Sequence, residues 1–179
     1  MKAYILLAIG TLLPGIFFAT KWNADAEKAT VEFTIKGPFG TVDGSFSGLK
    51  ADIKFSGDDL PGSSFTASID ATTVSTGIGL RNRDLRKEEI WFNTDKYPRI
   101  SFRSTKIEKR GNEFIAIGEL TMKAATRPVE IPFTFEEKDN AGTFKGTFVI
   151  KREDFGLGKH GGSVGNDVTI KLNIPAKKG

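Results

Sequence analysis

From Thr30 to Ile174 apolar and polar residues alternate with a period of two almost everywhere, the mark of strands that bury one face. Val31, Phe33 and Ile35 share one side of the first run, and Thr30, Glu32, Thr34 and Lys36 take the other. Gly37-Pro38-Phe39-Gly40 breaks that run. The second carries Val42 and Phe46, slips phase at Gly48, and continues through Leu49, Ala51, Ile53 and Phe55. A glycine at a phase change predicts a bulge or a sharp bend. Phe65, Ala67, Ile69 and Ala71 mark a third strand, and Ile100 and Phe102 a fourth. Phe114 to Leu120 is a fifth, apolar on both faces. Val129 to Phe135, Phe144 to Ile150 and Val168 to Ile174 complete eight, and Lys177-Lys178-Gly179 reads as a solvated tail.

Eight strands with short connections predict an all-β fold, an antiparallel sandwich or a closed barrel. Eight is also the barrel size whose interior is filled by side chains or holds one small ligand. Only Arg81 to Phe92, rich in Arg, Lys, Glu and Leu, reads as a helix. No repeat or second domain interrupts the pattern, and 179 residues is a one-domain length.

The N-terminus differs from the rest. Lys2 is followed by an apolar run from Ala3 to Ala19. A positive charge, an apolar stretch and a small residue predict a secretory signal over residues 1–19, leaving a domain of 20–179. A cut after Ala26 has the better small-residue signature but would remove Trp22. The expected location is periplasmic or secreted.

Composition narrows the chemistry. The chain has no Cys and one His, His160, which excludes disulfides, thiolate sites and multi-histidine metal sites. Gly156-Leu157-Gly158-Lys159-His160-Gly161 spells a dinucleotide fingerprint, yet a β pattern follows it where a helix is required. It reads as a glycine-rich connection, with His160 solvated. The adjacent acids Glu88-Glu89, Asp58-Asp59 and Glu136-Glu137 do not supply facing carboxylates by themselves. No catalytic residue is expected, and the protein reads as a non-enzyme without metal or cofactor. Net charge is +4, with acids interleaved, so no nucleic-acid surface is expected. Arg81, Arg83, Arg86 and Lys87 cluster in the helix, as an anion clamp or as a plug for the barrel end. The 15 Phe fit a packed core and a lined cavity equally.

Ordered landmarks resemble the YceI-like family of periplasmic, lipocalin-like proteins that bind polyisoprenoids. They are Trp22-Asn23-Ala24-Asp25 with Val31-Glu32-Phe33, and Val42-Asp43-Gly44-Ser45-Phe46 with Gly48. Thr76-Gly77, Arg81 to Leu85, Trp91-Phe92-Asn93 and Lys96-Tyr97-Pro98-Arg99-Ile100-Ser101-Phe102 follow. Gly118-Glu119-Leu120-Thr121, Thr126-Arg127-Pro128-Val129, Lys151-Arg152-Glu153-Asp154-Phe155-Gly156 and Val164-Gly165-Asn166-Asp167-Val168 complete the set. The family's Arg-Asp-x-His-Leu appears as Arg81-Asn82-Arg83-Asp84-Leu85, so no role is carried over from that His.

The resemblance implies an eight-stranded antiparallel lipocalin-like barrel with one short helix and an isoprenoid lipid in an apolar tunnel. Phe33, Ile35, Phe65, Ile69, Phe102, Ile117, Phe133 and Phe148 are then expected to face the tunnel. Arg81, Arg83 and Asp84 are the expected rim for a quinone or phosphate head. The protein would act as a carrier or store, with transient contact to a membrane surface; a homodimer stays open. The rival is a structural or protein-interaction barrel with a filled core.

Overall fold

A computed structural model describes residues 18–179. Ten strand segments follow the chain: β1 (Thr20–Ala24), β2 (Thr30–Gly37), β3 (Gly40–Phe46), β4 (Lys50–Phe55), β5 (Ser64–Asp70), β6 (Arg99–Arg110), β7 (Glu113–Met122), β8 (Ala125–Lys138), β9 (Ala141–Lys151) and β10 (Asp167–Lys178). One α-helix, α1 (Gly79–Lys87), lies between β5 and β6, and short 3-10 turns follow β5 (Ala71–Thr73) and β9 (Arg152–Phe155). All the strand pairings are antiparallel.

Ten segments make eight staves, because two staves are broken. β10 pairs with both β1 (Trp22 opposite Lys178) and β2 (Ile35 opposite Val168). The turn between β1 and β2 is held by the Asp25 N–H on the Pro175 carbonyl at 2.8 Å. β3 continues into β4 past Gly48, whose φ of +72° turns the chain where the phase slips. β3 pairs with β2, while β4 pairs with β1 and β5. With β1 joined to both β4 and β10, the sheet closes into a barrel, as the alternation predicts.

Three local expectations change. The first stave begins at Thr20, ahead of the alternation that starts at Thr30 and in keeping with the Trp22-Asn23-Ala24-Asp25 landmark, and Trp22 is buried in it. Lys177 and Lys178 are not a free tail but the end of β10, paired with Asn23 and Trp22. The helix stops at Lys87, well short of Phe92. Trp91 and Phe92 turn inward instead, and Phe92 meets Phe46 edge-on at 5.5 Å. Burying that ring outweighs extending an exposed helix. The glycine-rich Gly156–Gly161 stretch leads through a loop into β10, with no helix after it.

Antiparallel pairing sorts the connections. The β2–β3 turn, α1, the β7–β8 turn and the loop over residues 156–166 gather at one end. The start of β1, the β4–β5 loop, the β6–β7 and β8–β9 turns and the end of β10 gather at the other.

Candidate functional site

The two ends are packed differently. At the β1 end Trp22, Ile53, Phe55, Ile107, Ala116, Ile131, Phe133 and Phe144 form one buried cluster. The Phe55 ring meets Phe65, Phe114, Phe133, Phe135 and Phe144 at centroid distances of 5.0–5.9 Å. Trp22 caps them and donates its indole N–H to the Phe55 carbonyl at 3.0 Å. This aromatic floor needs no other polar partner, since Phe carries none. Toward the α1 end a second cluster centres on Leu49, Ile69, Ile100, Leu120, Ile150, Phe155 and Leu157.

A cavity of about 700 Å³ runs from the floor to the α1 end. That volume lies within the usual small-molecule range of about 300–1,000 Å³. Its walls are almost wholly apolar. Phe33, Ile35, Phe65, Ile69, Phe102, Phe133 and Phe148 line it. Ile117 does not: it sits opposite Lys106 and Glu130, facing away, while Ala116 and Leu120 face in. β7 is apolar on both faces, so alternation alone does not choose its phase. The inward place goes to the small residues Ala116 and Gly118, beside which the Phe102 ring packs.

The mouth lies between the β2–β3 turn and α1. Phe39, Ile78 and Leu80 line it, with side chains largely in solvent. Behind them Asn82 accepts from both the N–H and the hydroxyl of Thr76, at 2.8 and 2.6 Å. Arg81 donates Nε to that hydroxyl and Nη2 to the Thr76 carbonyl, both at 2.7 Å. Arg81 and Asp84 line the mouth. Arg83 does not; it points into solvent and pairs with Asp84 at 3.2 Å.

One residue that sequence reasoning left without a role organises this end. Arg152 is 2% exposed, and its guanidinium donates to the carbonyls of Leu157, Lys159, Val164 and Gly165. It thereby folds the loop over residues 156–166 against the barrel. Its neighbour Glu153 pairs with the exposed His160. Burial pushes the Glu153 carboxyl up, but the Gly161 N–H and His160 outweigh it and hold it below its usual range. Lys123 ties the mouth together, donating to the carbonyls of Glu89 and Gly156 at 2.8 and 3.0 Å. Among the described residues no three His, Cys, Asp or Glu side chains gather to hold a metal.

A closed eight-stranded barrel around a blind apolar tunnel is the architecture of a small-ligand-binding barrel. A model of the YceI-like domain matches residues 22–176, and the chain belongs to that family. A UPF0312 protein of Yersinia enterocolitica is 27% identical over 184 residues, spanning 97% of this chain and 95% of that protein. The crystal structure of Burkholderia cenocepacia BcnA superposes with a TM-score of 0.81 at 27% identity, covering 87% of this chain and all of that one (100%). A polyisoprenoid binding domain from Saccharophagus degradans, implicated in plant cell wall breakdown, gives 0.71 at 15% identity, over 89% and 99% of the chains. A Campylobacter jejuni YceI protein gives 0.69 at 18% identity, over 100% and 99%. The last two likenesses bear on the fold alone.

Proposed function

We propose that the protein is a non-enzymatic carrier or store for one amphiphilic isoprenoid lipid, held tail-down with its head at the mouth. The observation that carries this reading is the cavity itself: almost wholly apolar, blind at the Trp22–Phe55 floor and open at the α1 end. A barrel with a filled core has no such space. The Saccharophagus degradans domain supports the choice of ligand by what it binds.

Each buried methylene contributes about 0.8 kcal/mol, so a long tail supplies ample gross affinity. Ordering the tail offsets much of it. Recognition along the wall is then tolerant, and discrimination falls to the rim. Arg81 and Asp84 are the polar groups there, with Arg83 just outside. Arg83 is already paired with Asp84 and Arg81 is half engaged by Thr76, which favours a neutral head such as a quinone over a phosphate. Residues 1–19 serve as a cleaved export signal, placing the carrier in the periplasm or outside the cell; most of that segment, residues 1–17, lies outside the described residues.

Native mass spectrometry of protein purified from its own host tests the reading. A prenyl lipid mass on the folded chain is expected. A bare chain that also takes up no added prenyl quinone would overturn it.

A further inference from the structure

Three of the largest exposed apolar side chains stand together at the mouth. Phe39 is fully solvent-exposed (102%) at the tip of the β2–β3 turn, with Ile78 at 53% and Leu80 at 61% at the start of α1. All three also line the cavity, so apolar surface reaches from the tunnel wall outward into solvent, with Arg81 and Asp84 beside it. Exposed apolar clusters of this kind mark interaction sites. The charges beside them indicate the partner. Lys36, at the end of β2, and Arg81 form no ion pair among the described residues; Arg81 is bonded only to the neutral Thr76. Arg86 likewise donates to the neutral Val74 carbonyl. The acid at the mouth, Asp84, is paired with Arg83 at 3.2 Å, and Glu88 and Glu89 follow the far end of α1, about 13 Å along its axis from the tips. Apolar tips flanked by unneutralised cations are the pattern of a surface that enters the headgroup layer of an anionic bilayer.

We infer that this rim is a membrane-docking face, inserted by Phe39, Ile78 and Leu80 into the surface of a bilayer containing anionic lipid. The geometry gives it a purpose that rests on the carrier reading. A tail leaving the bilayer enters the tunnel along the apolar surface of these three residues. Thr20 begins β1 at the opposite, closed end, so the rim is turned away from the start of the domain.

The test is flotation with vesicles free of any isoprenoid, so that its outcome is independent of tunnel loading. Vesicles of equal parts phosphatidylglycerol and phosphatidylcholine should carry the wild type, and vesicles of phosphatidylcholine alone should carry less. Added salt should weaken the first. Phe39→Ser/Leu80→Ser changes exposed tips only and should lower the bound fraction about tenfold or more. Val149→Ser, on the outer wall of β9, should not change it. A wild type that fails to float with the anionic vesicles, or a double variant that floats equally well, overturns the docking face. So does a dimer in light scattering that the double variant dissolves while no vesicle is bound; the rim would then face a second copy. A wild type that floats but takes up no prenyl quinone would instead overturn the carrier reading and leave the docking face standing.

Discussion

The indole N–H of Trp22, in β1, donates to the main-chain carbonyl of Phe55, in β4, at 3.0 Å, and so seals the closed end of the barrel. Both residues are 1% exposed. Trp22→Phe keeps an aromatic ring but removes the donor and part of the volume. The variant should lose about 1–3 kcal/mol of stability in urea unfolding. Phe135→Leu, which leaves the bond in place, should cost less.

Gly44 and Phe33 are matched in the same way across β3 and β2, where they are register partners. The Phe33 ring lies over the glycine so closely that a Cβ there would fall inside it. Gly44→Ala should therefore cost about 1–3 kcal/mol by overpacking. In a Phe33→Ala background the same change should cost much less. Unfolding of the four proteins measures the coupling, and additive costs would remove the contact from the account.

Arg152 holds the loop over residues 156–166 through four carbonyls. Arg152→Met fills much of the space but strands those acceptors. Amide hydrogen exchange over the loop should accelerate markedly relative to β7 and β8. Arg152→Lys should not rescue it, because an ammonium cannot reproduce the planar fork.

Acid sensitivity has a local source at Asp70. Its carboxylate accepts from the Thr72 hydroxyl at 2.6 Å and the Thr72 N–H at 2.9 Å, bonds that hold it below its usual range. A carboxyl lowered by folding stabilises fully above its unfolded pKa of about 3.9, and that contribution fades as pH falls through the folded value. The stability gap between wild type and Asp70→Ala should thus be largest near neutral pH and shrink below pH of about 4. Asp25, Glu108, Glu130 and Glu153 shift in the same direction, so the difference between the two proteins is the informative quantity.

The barrel floor depends on a strand that lies close to the expected cleavage site. A cut after Ala26 would remove β1 and with it Trp22. N-terminal sequencing of the protein from its host should begin near Thr20. A chain beginning at Glu27, or an intact Met1 in the cytoplasm, would contradict this.

Period-two alternation is enough to lay out the barrel and to place Phe33, Phe65 and Phe102 on its inner face, because their neighbours are polar. It failed at Ile117, where Ile115 and Ile117 are as apolar as the inward Ala116 and only the register against Glu130 decides. It passed over Thr20–Ala24 because Trp22 and Ala24 are too short a run to declare a strand; the floor beneath them gives the segment its energy. The local pattern carries the helix past Lys87 because the pull of Trp91 and Phe92 toward the cavity is tertiary. The cage around Arg152 leaves no mark in the alternation, since its acceptors are carbonyls that any sequence would carry; only the Lys151 to Gly156 and Val164 to Val168 landmarks touch it. The rim was legible only in part: Arg81 and Asp84 reach the mouth, while the apolar tips that surround it read as an ordinary turn and helix start.

Filling the tunnel tests the central claim most directly. Ala67 lies midway along the wall, opposite Ala51 and Phe102, and faces the lumen. Ala67→Phe projects a ring into that space without burying a polar group, so the ligand-free barrel should unfold no more easily than the wild type. Equilibrium titration with a prenyl quinone should show one site in the wild type and an affinity at least about tenfold weaker in Ala67→Phe, as lost methylene burial requires. Equal affinity in the two proteins would contradict a tail held in the tunnel.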